Sequence, residues 1–126
     1  MLRIITLYLI INILLISGCS KDKPTLRKPR AESTARDVLE YGRALFNQEE
    51  YKKAIQEYRY VIAHYPKNKK ECAWAQYELA YSYYCMKEYD KALQEFKKVE
   101  MLYPEQSGPV ILAKKMITKL QIKMNR

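Results

Sequence analysis

The chain has 126 residues and a mass of 15.0 kDa, with 23 Lys and Arg against 14 Asp and Glu, and three glycines. That length holds one domain, and Ala, Glu, Lys, Leu and Tyr recurring without β-branched alternation point to an all-α fold. Part of the positive excess is local: residues 20–30 hold five basic residues against Asp22, and residues 31–126 hold 17 against 13. In the body the charges interleave, as in EEYKKAIQEYR. Such interleaving makes a solvated helix face with i,i+4 pairs and excludes the one-sided basic stripe of a nucleic-acid binder.

Met1-Leu2-Arg3 is a short positive segment, and Ile4 to Ile16 is an apolar run. A membrane-spanning helix needs about 20 apolar residues, so this shorter run reads as a signal peptide. It ends in Ile16-Ser17-Gly18-Cys19. An aliphatic residue, two small ones and a cysteine at the end of such a run resemble the bacterial lipobox. The resemblance implies a signal peptide over 1–18, cleavage before Cys19, and a diacylglyceryl group with further acylation (palmitate) on Cys19. No cofactor is expected beyond that covalent lipid. Two or more acyl chains hold a protein stably at a bilayer, whereas one does so marginally. The other reading is an uncleaved signal anchor ending in an ordinary thiol. Ser20 follows the cysteine where the resemblance places Asp in proteins kept at the inner membrane, so delivery to the periplasmic side of the outer membrane is implied.

Residues 19–30 carry the modified cysteine and a basic tether, SKDKPTLRKPR. Two prolines favour extended chain, and one isolated leucine builds no core. The tether spaces the domain from the bilayer, and its five cations are attracted to anionic headgroups. Past it, apolar spacing and stop signals predict helices over about 33–46, 51–65, 71–86, 89–102 and 109–124, within a domain spanning 31–126. Pro66 and Pro104 end the second and fourth, because proline cannot donate a hydrogen bond and constrains the residue before it. Ser107-Gly108-Pro109 reads as a helix start with proline at the first position. Ala113, Met116, Ile117, Leu120 and Met124 then share one face, with Lys114, Lys115, Lys119 and Lys123 elsewhere.

The body repeats. At an offset of 38 residues, LFNQEEYKKAIQEYRYVIAHYPKN lies over YYCMKEYDKALQEFKKVEMLYPEQ, with Tyr51 on Tyr89, Ala54 on Ala92, Tyr58 on Phe96, Val61 on Val99 and Pro66 on Pro104. The pattern of Gly42, Tyr51, Ala54, Tyr58 and Pro66, and of Ala80, Tyr83, Tyr89, Ala92, Phe96 and Pro104, resembles the tetratricopeptide repeat (TPR). Leu45 replaces a usual aromatic, and Val61 and Val99 replace a usual alanine, all keeping apolar bulk on the buried side. The expectation is an all-α solenoid of two helix-turn-helix TPR units, about 35–68 and 72–106, closed by a capping helix at about 109–124. Close helix approach needs small facing residues, so Gly42 is expected over Ala54 and Ala80 over Ala92. Two units make a small array, and an exposed flank on the first helix is expected to take a partner or a second copy.

Little in the sequence supports catalysis. Cys72 and Cys85 are 13 residues apart on one helix, roughly 20 Å along its axis, too far for a disulfide with each other. They read as buried fillers, with an intermolecular disulfide as the other reading. His64, the one histidine, has no second ligand at metal spacing and suits a helix C-terminus. Neither a nucleophile–base–carboxylate set nor a phosphate-cradling loop is present. The twelve tyrosines stand out. Trp74, Tyr77, Tyr81 and Tyr84 form one stripe on the third helix, and Arg36, Leu39, Arg43 and Phe46 hold equivalent places on the first. The TPR resemblance implies that these eight line the groove that holds a partner's segment; the other reading is that the stripe packs against the neighbouring unit. Lipobox and repeats together resemble the outer-membrane TPR lipoproteins, a family with a member in the BAM complex that inserts β-barrels. That implies a non-enzymatic envelope scaffold with a protein partner, neither nucleic acid nor a small-molecule substrate. A pilotin-like lipoprotein serving secretins and a subunit of an envelope enzyme acting on peptidoglycan are the rival readings.

Overall fold

The computed structural model describes residues 32–126; the signal peptide, Cys19 and the basic tether lie outside the described residues. Five helices follow one another: α1 (Ala35–Asn47), α2 (Tyr51–His64), α3 (Lys69–Cys85), α4 (Tyr89–Leu102) and α5 (Ser107–Met124). The described residues form the all-α solenoid of two helix pairs and a capping helix that the repeat predicts, with α1 pairing α2, α3 pairing α4, and α5 packed on α3 and α4.

The helix starts differ from the sequence reading in instructive ways. Thr34 caps α1: the Asp37 amide donates to Thr34 Oγ1 at 3.3 Å while the Thr34 amide donates to Asp37 Oδ2 at 2.8 Å. This reciprocal box satisfies two amides that the helix leaves orphaned, and it pulls the Asp37 carboxyl below its usual range through the Thr34 backbone bond. Helix α3 begins at Lys69, two residues before the expected Glu71, because Lys69 and Lys70 are exposed and carry no apolar signal. Helix α5 begins at Ser107, so Pro109 is its third residue instead of its first. Proline is tolerated there since the first four amides have no intrahelical acceptor.

Both units turn between their helices in the same way. Glu49 and Lys87 take φ of 62°, with Glu50 N bonded to Leu45 O and Glu88 N to Tyr83 O, each at 3.0 Å. A left-handed residue followed by a six-to-one bond is the Schellman closure, and the equivalent Glu50–Lys53 and Glu88–Lys91 ion pairs follow it. The register extends into α5. Met86 lies against the turn at 49–53 and Met124, 38 residues on, against the turn at 87–91. The capping helix therefore sits as a third first-helix would, with Val110, Ala113, Ile117 and Leu120 buried as Cys72, Ala75, Leu79 and Ser82 are in α3.

The core adds a reason for the glycine. A Cβ on Gly42 would lie 2.6 Å from Tyr58 Cε1, so the glycine makes room for that ring. In the second unit Ala80 and Phe96 hold the equivalent places, both fully buried. Tyr58 is also fully buried, and its hydroxyl is the buried side-chain polar atom left without a hydrogen-bond partner among the described residues. Gly42→Ala should therefore destabilise the domain by about 1–3 kcal/mol through overpacking, outweighing a helix-propensity gain of about 1 kcal/mol. Tyr58→Phe should raise stability by about 1 kcal/mol, by removing an unpaired buried group. Chemical denaturation of both variants checks the two signs.

Candidate partner-binding face

The repeat geometry puts α1, α3 and α5 side by side with one line of rings running along α3. Trp74 meets Tyr77 edge-on at 6.1 Å, Tyr77 stacks on Tyr81 at 6.2 Å, and Tyr81 stacks on Tyr84 at 5.7 Å. Phe46 of α1 reaches the ladder at Tyr81 (5.8 Å) and continues to Tyr51 (5.1 Å), while Tyr84 continues to Tyr89 (5.7 Å). Centroid separations in this range are those of favourable aromatic pairs. All four α3 rings are half-buried: they rest on the core on one side and keep a free face on the other. Tyr77 is the most rooted, packed on the fully buried Phe96 at 5.5 Å.

The eight residues singled out from sequence separate on inspection. Arg43 and Phe46 meet rings of the ladder, and Arg36 is placed by its ion pair with Glu71. Leu39 is 3% exposed and belongs to the core, on the side of α1 turned inward, so it supports the face from behind. Arg43 lies over the Trp74 ring at 5.9 Å, donates to Glu78 at 3.3 Å and pairs with Glu40 at 2.7 Å. Arg36 stands 3.7 Å from Glu71. Gly108, at the start of α5, brings that helix close to the indole, since a Cβ there would lie 3.2 Å from Trp74 Cζ2. The stripe thus touches both neighbouring first-helices and remains half open.

Sequence reasoning missed several members. Lys119 lies over Tyr84 at 5.1 Å and Lys123 over Tyr89 at 4.9 Å, contacts of cation–π length. The 38-residue register would have found one of them, because it carries Arg43 onto Tyr81 and then onto Lys119. Glu71 and Glu78 were also unmarked. Burial pushes the Glu78 carboxyl above its usual range, and the adjacent Arg43 opposes that shift.

Of the two cysteines read as buried fillers, Cys72 is buried and Cys85 is only half-buried. The Cys72 thiol lies 3.2 Å from the Tyr65 carbonyl, which closes the end of α2. Burial pushes the Cys72 and Cys85 thiols upward, keeping both protonated and poor nucleophiles. His64 is the last residue of α2, stacked on Tyr60 at 3.8 Å with Nδ1 3.1 Å from the Tyr60 carbonyl. Among the described residues no helix is long and apolar enough to cross a membrane.

The paired helices, the doubled turn and the register of 38 define the class of the chain. The tetratricopeptide repeat family model matches residues 38–68 and 74–105. The chain belongs to that family, whose repeats serve as protein–protein interaction scaffolds. No curated protein and no solved structure matches it.

The raised Glu78 carboxyl has a defined consequence for stability. A group whose folded pKa is raised adds stability below its unfolded value, and that stability is lost as pH rises through the folded value. Glu78→Gln, uncharged at every pH, should be more stable than wild type near about pH 7, the gap closing by about pH 4. Thermal melts across that range check it; a gap that widens on acidification would contradict the assignment.

Proposed function

We propose that this chain is a lipid-anchored scaffold of the bacterial cell envelope that holds a segment of another protein and performs no chemistry of its own. The observation that carries the reading is the ring ladder from Trp74 to Tyr84, half-buried and flanked by Arg43 and Phe46 on one side and by Lys119 on the other. Rigid aromatic area with a polar edge is what protein-binding hot spots are made of. Glu71 and Glu78 on the same helix are paired with Arg36 and Arg43, whereas Lys119 and Lys123 lie over the rings of Tyr84 and Tyr89.

The address rests on the sequence ahead of the domain. The lipobox Ile16-Ser17-Gly18-Cys19 supports acylation of Cys19, and Ser20 supports the outer membrane, periplasmic side. In that compartment the partner we favour is a β-barrel assembly protein. The basic tether from residue 20 to 30 leaves the domain room to meet it close to the bilayer.

Two variants test the reading together. Tyr77 is rooted on Phe96, so Tyr81→Ala with Tyr84→Ala is the cleaner disruption; both rings stack on neighbours at the face. Capture of the partner by the acylated chain from detergent-extracted envelopes should fall at least about tenfold, with the helical circular-dichroism signal intact. Undiminished capture would sink the groove. Cys19→Ser should abolish incorporation of labelled palmitate into the chain and leave the leader uncleaved, read by mass spectrometry, without lowering the domain's affinity for the partner. Recovery of a secretin, or of a peptidoglycan hydrolase or synthase, would replace the partner named here.

A further inference from the structure

The second surface of the molecule is the outer side of α5. Val110, Ala113, Ile117 and Leu120 bury one side of that helix. The opposite side bears Ile111, Lys115, Thr118 and Ile122, spaced by four, three and four residues and so aligned along about three turns. Ile111 and Ile122 are each 54% exposed. Just before α5, at the end of α4, Met101 is 70% and Leu102 49% exposed, where the first unit carries Ala63 and His64. Residues 107–126 contain Lys114, Lys115, Lys119, Lys123 and Arg126 and no acidic residue at all. Of these lysines, Lys114 approaches a carboxylate, Glu100, at 3.7 Å.

We propose that this face rests on an anionic lipid surface. Exposed aliphatic side chains between lysines are the composition of a helix lying in the bilayer interface. The long lysine stems let the ammonium groups reach the headgroups while the isoleucines enter the acyl boundary. The composition disfavours a protein occupant, because protein-interface centres are rich in Tyr, Trp and Arg and poor in lysine. Helix α5 has no aromatic residue, in contrast to the ladder on α3. Lys119 and Lys123 lie over Tyr84 and Tyr89 on the ladder side, so a second copy meeting the outer side would set Lys114, Lys115 and Arg126 against their own counterparts, which is still repulsive. Surface attraction to anionic lipid falls off within a Debye length, about 8–10 Å at physiological salt, so the contact requires α5 to lie against the bilayer and not merely near it. The inference uses the bilayer address proposed above but concerns a surface separate from the ring ladder.

The experiment uses the full acylated chain on vesicles of phosphatidylcholine alone and of phosphatidylcholine with about 30% phosphatidylglycerol. Flotation reports the anchor. Amine labelling of Lys114 and Lys115 relative to Lys52 and Lys67 of the first unit, read by mass spectrometry, reports the face. The expected result is flotation on both, with labelling of Lys114 and Lys115 at least about threefold lower on the anionic vesicles and restored at about 0.5 M salt. In Lys115→Glu with Ile122→Ser, both sites exposed, the protection of Lys114 should vanish while the chain still floats. Equal labelling on the two vesicles overturns the proposal. Protection that appears solely on adding an acidic envelope protein also overturns it and assigns the face to that protein. Failure to float on phosphatidylcholine overturns the anchor alone, and protection on anionic vesicles is still required of α5.

Discussion

Everything in this fold depends on the small-residue packing of α3. That helix touches each of the other four, and it does so because Cys72, Ala73, Ala75, Ala80 and Ser82 offer no bulk: all are at most 1% exposed. Two second-helix rings, Tyr58 and Phe96, fill the space beside the small residues of the two first-helices. Helices come this close where facing side chains are short, and the dense contact that results fixes α3 against both units at once. Leu79 and Tyr83 join the core between the units, while its other large rings, Trp74, Tyr77, Tyr81 and Tyr84, are left half-buried on the remaining side. The aromatic ladder is thus a consequence of the packing: the rings lie where α3 has no helix directly over it.

The distribution of charge follows the same division. Where the first-helices of the two units meet, carboxylates and guanidiniums are matched, Arg36 with Glu71 and Arg43 with Glu78, and Gln76 ties α3 to the Glu95 side chain at 2.7 Å. Toward the C-terminal end this matching stops, and α5 offers lysines with a single acidic neighbour. The molecule therefore presents two dissimilar surfaces, one aromatic and internally compensated, the other aliphatic and cationic. Surfaces so different in chemistry suit different partners.

Most of the architecture was legible because the repeat reports on itself twice. A substitution of Tyr58 by Phe96, or of Gly42 by Ala80, at one offset identifies a buried position more reliably than either residue alone. The turns were harder to read, since Glu49 and Lys87 take the left-handed conformation without being glycine, and neither residue type announces it. The start at Lys69 was set two residues late because polar residues begin the helix and periodicity speaks only through apolar side chains. The start at Ser107 was set two residues late because Pro109 was given the first helical position. Leu39 was misplaced for a related reason: spacing puts it in line with Arg36, Arg43 and Phe46, but a leucine at the edge of such a line turns to the core, away from solvent. The contribution of α5 to the ladder was hidden because Lys119 holds the place of Tyr81 in α3 and Arg43 in α1, while Lys123 holds that of Cys85 and Asn47. Pattern matching by residue class passes over such positions, whereas counting by 38 finds Lys119.

The account's central claim is that the free side of the α3 ladder, and not the convex side of the paired helices, is where another polypeptide is held. Placing a photo-crosslinking phenylalanine analogue at Tyr81, and separately at the exposed Tyr60 of α2, tests this in intact cells. The account predicts a discrete protein adduct from position 81 on illumination and none from position 60. Adducts from position 60 with none from position 81 would contradict it.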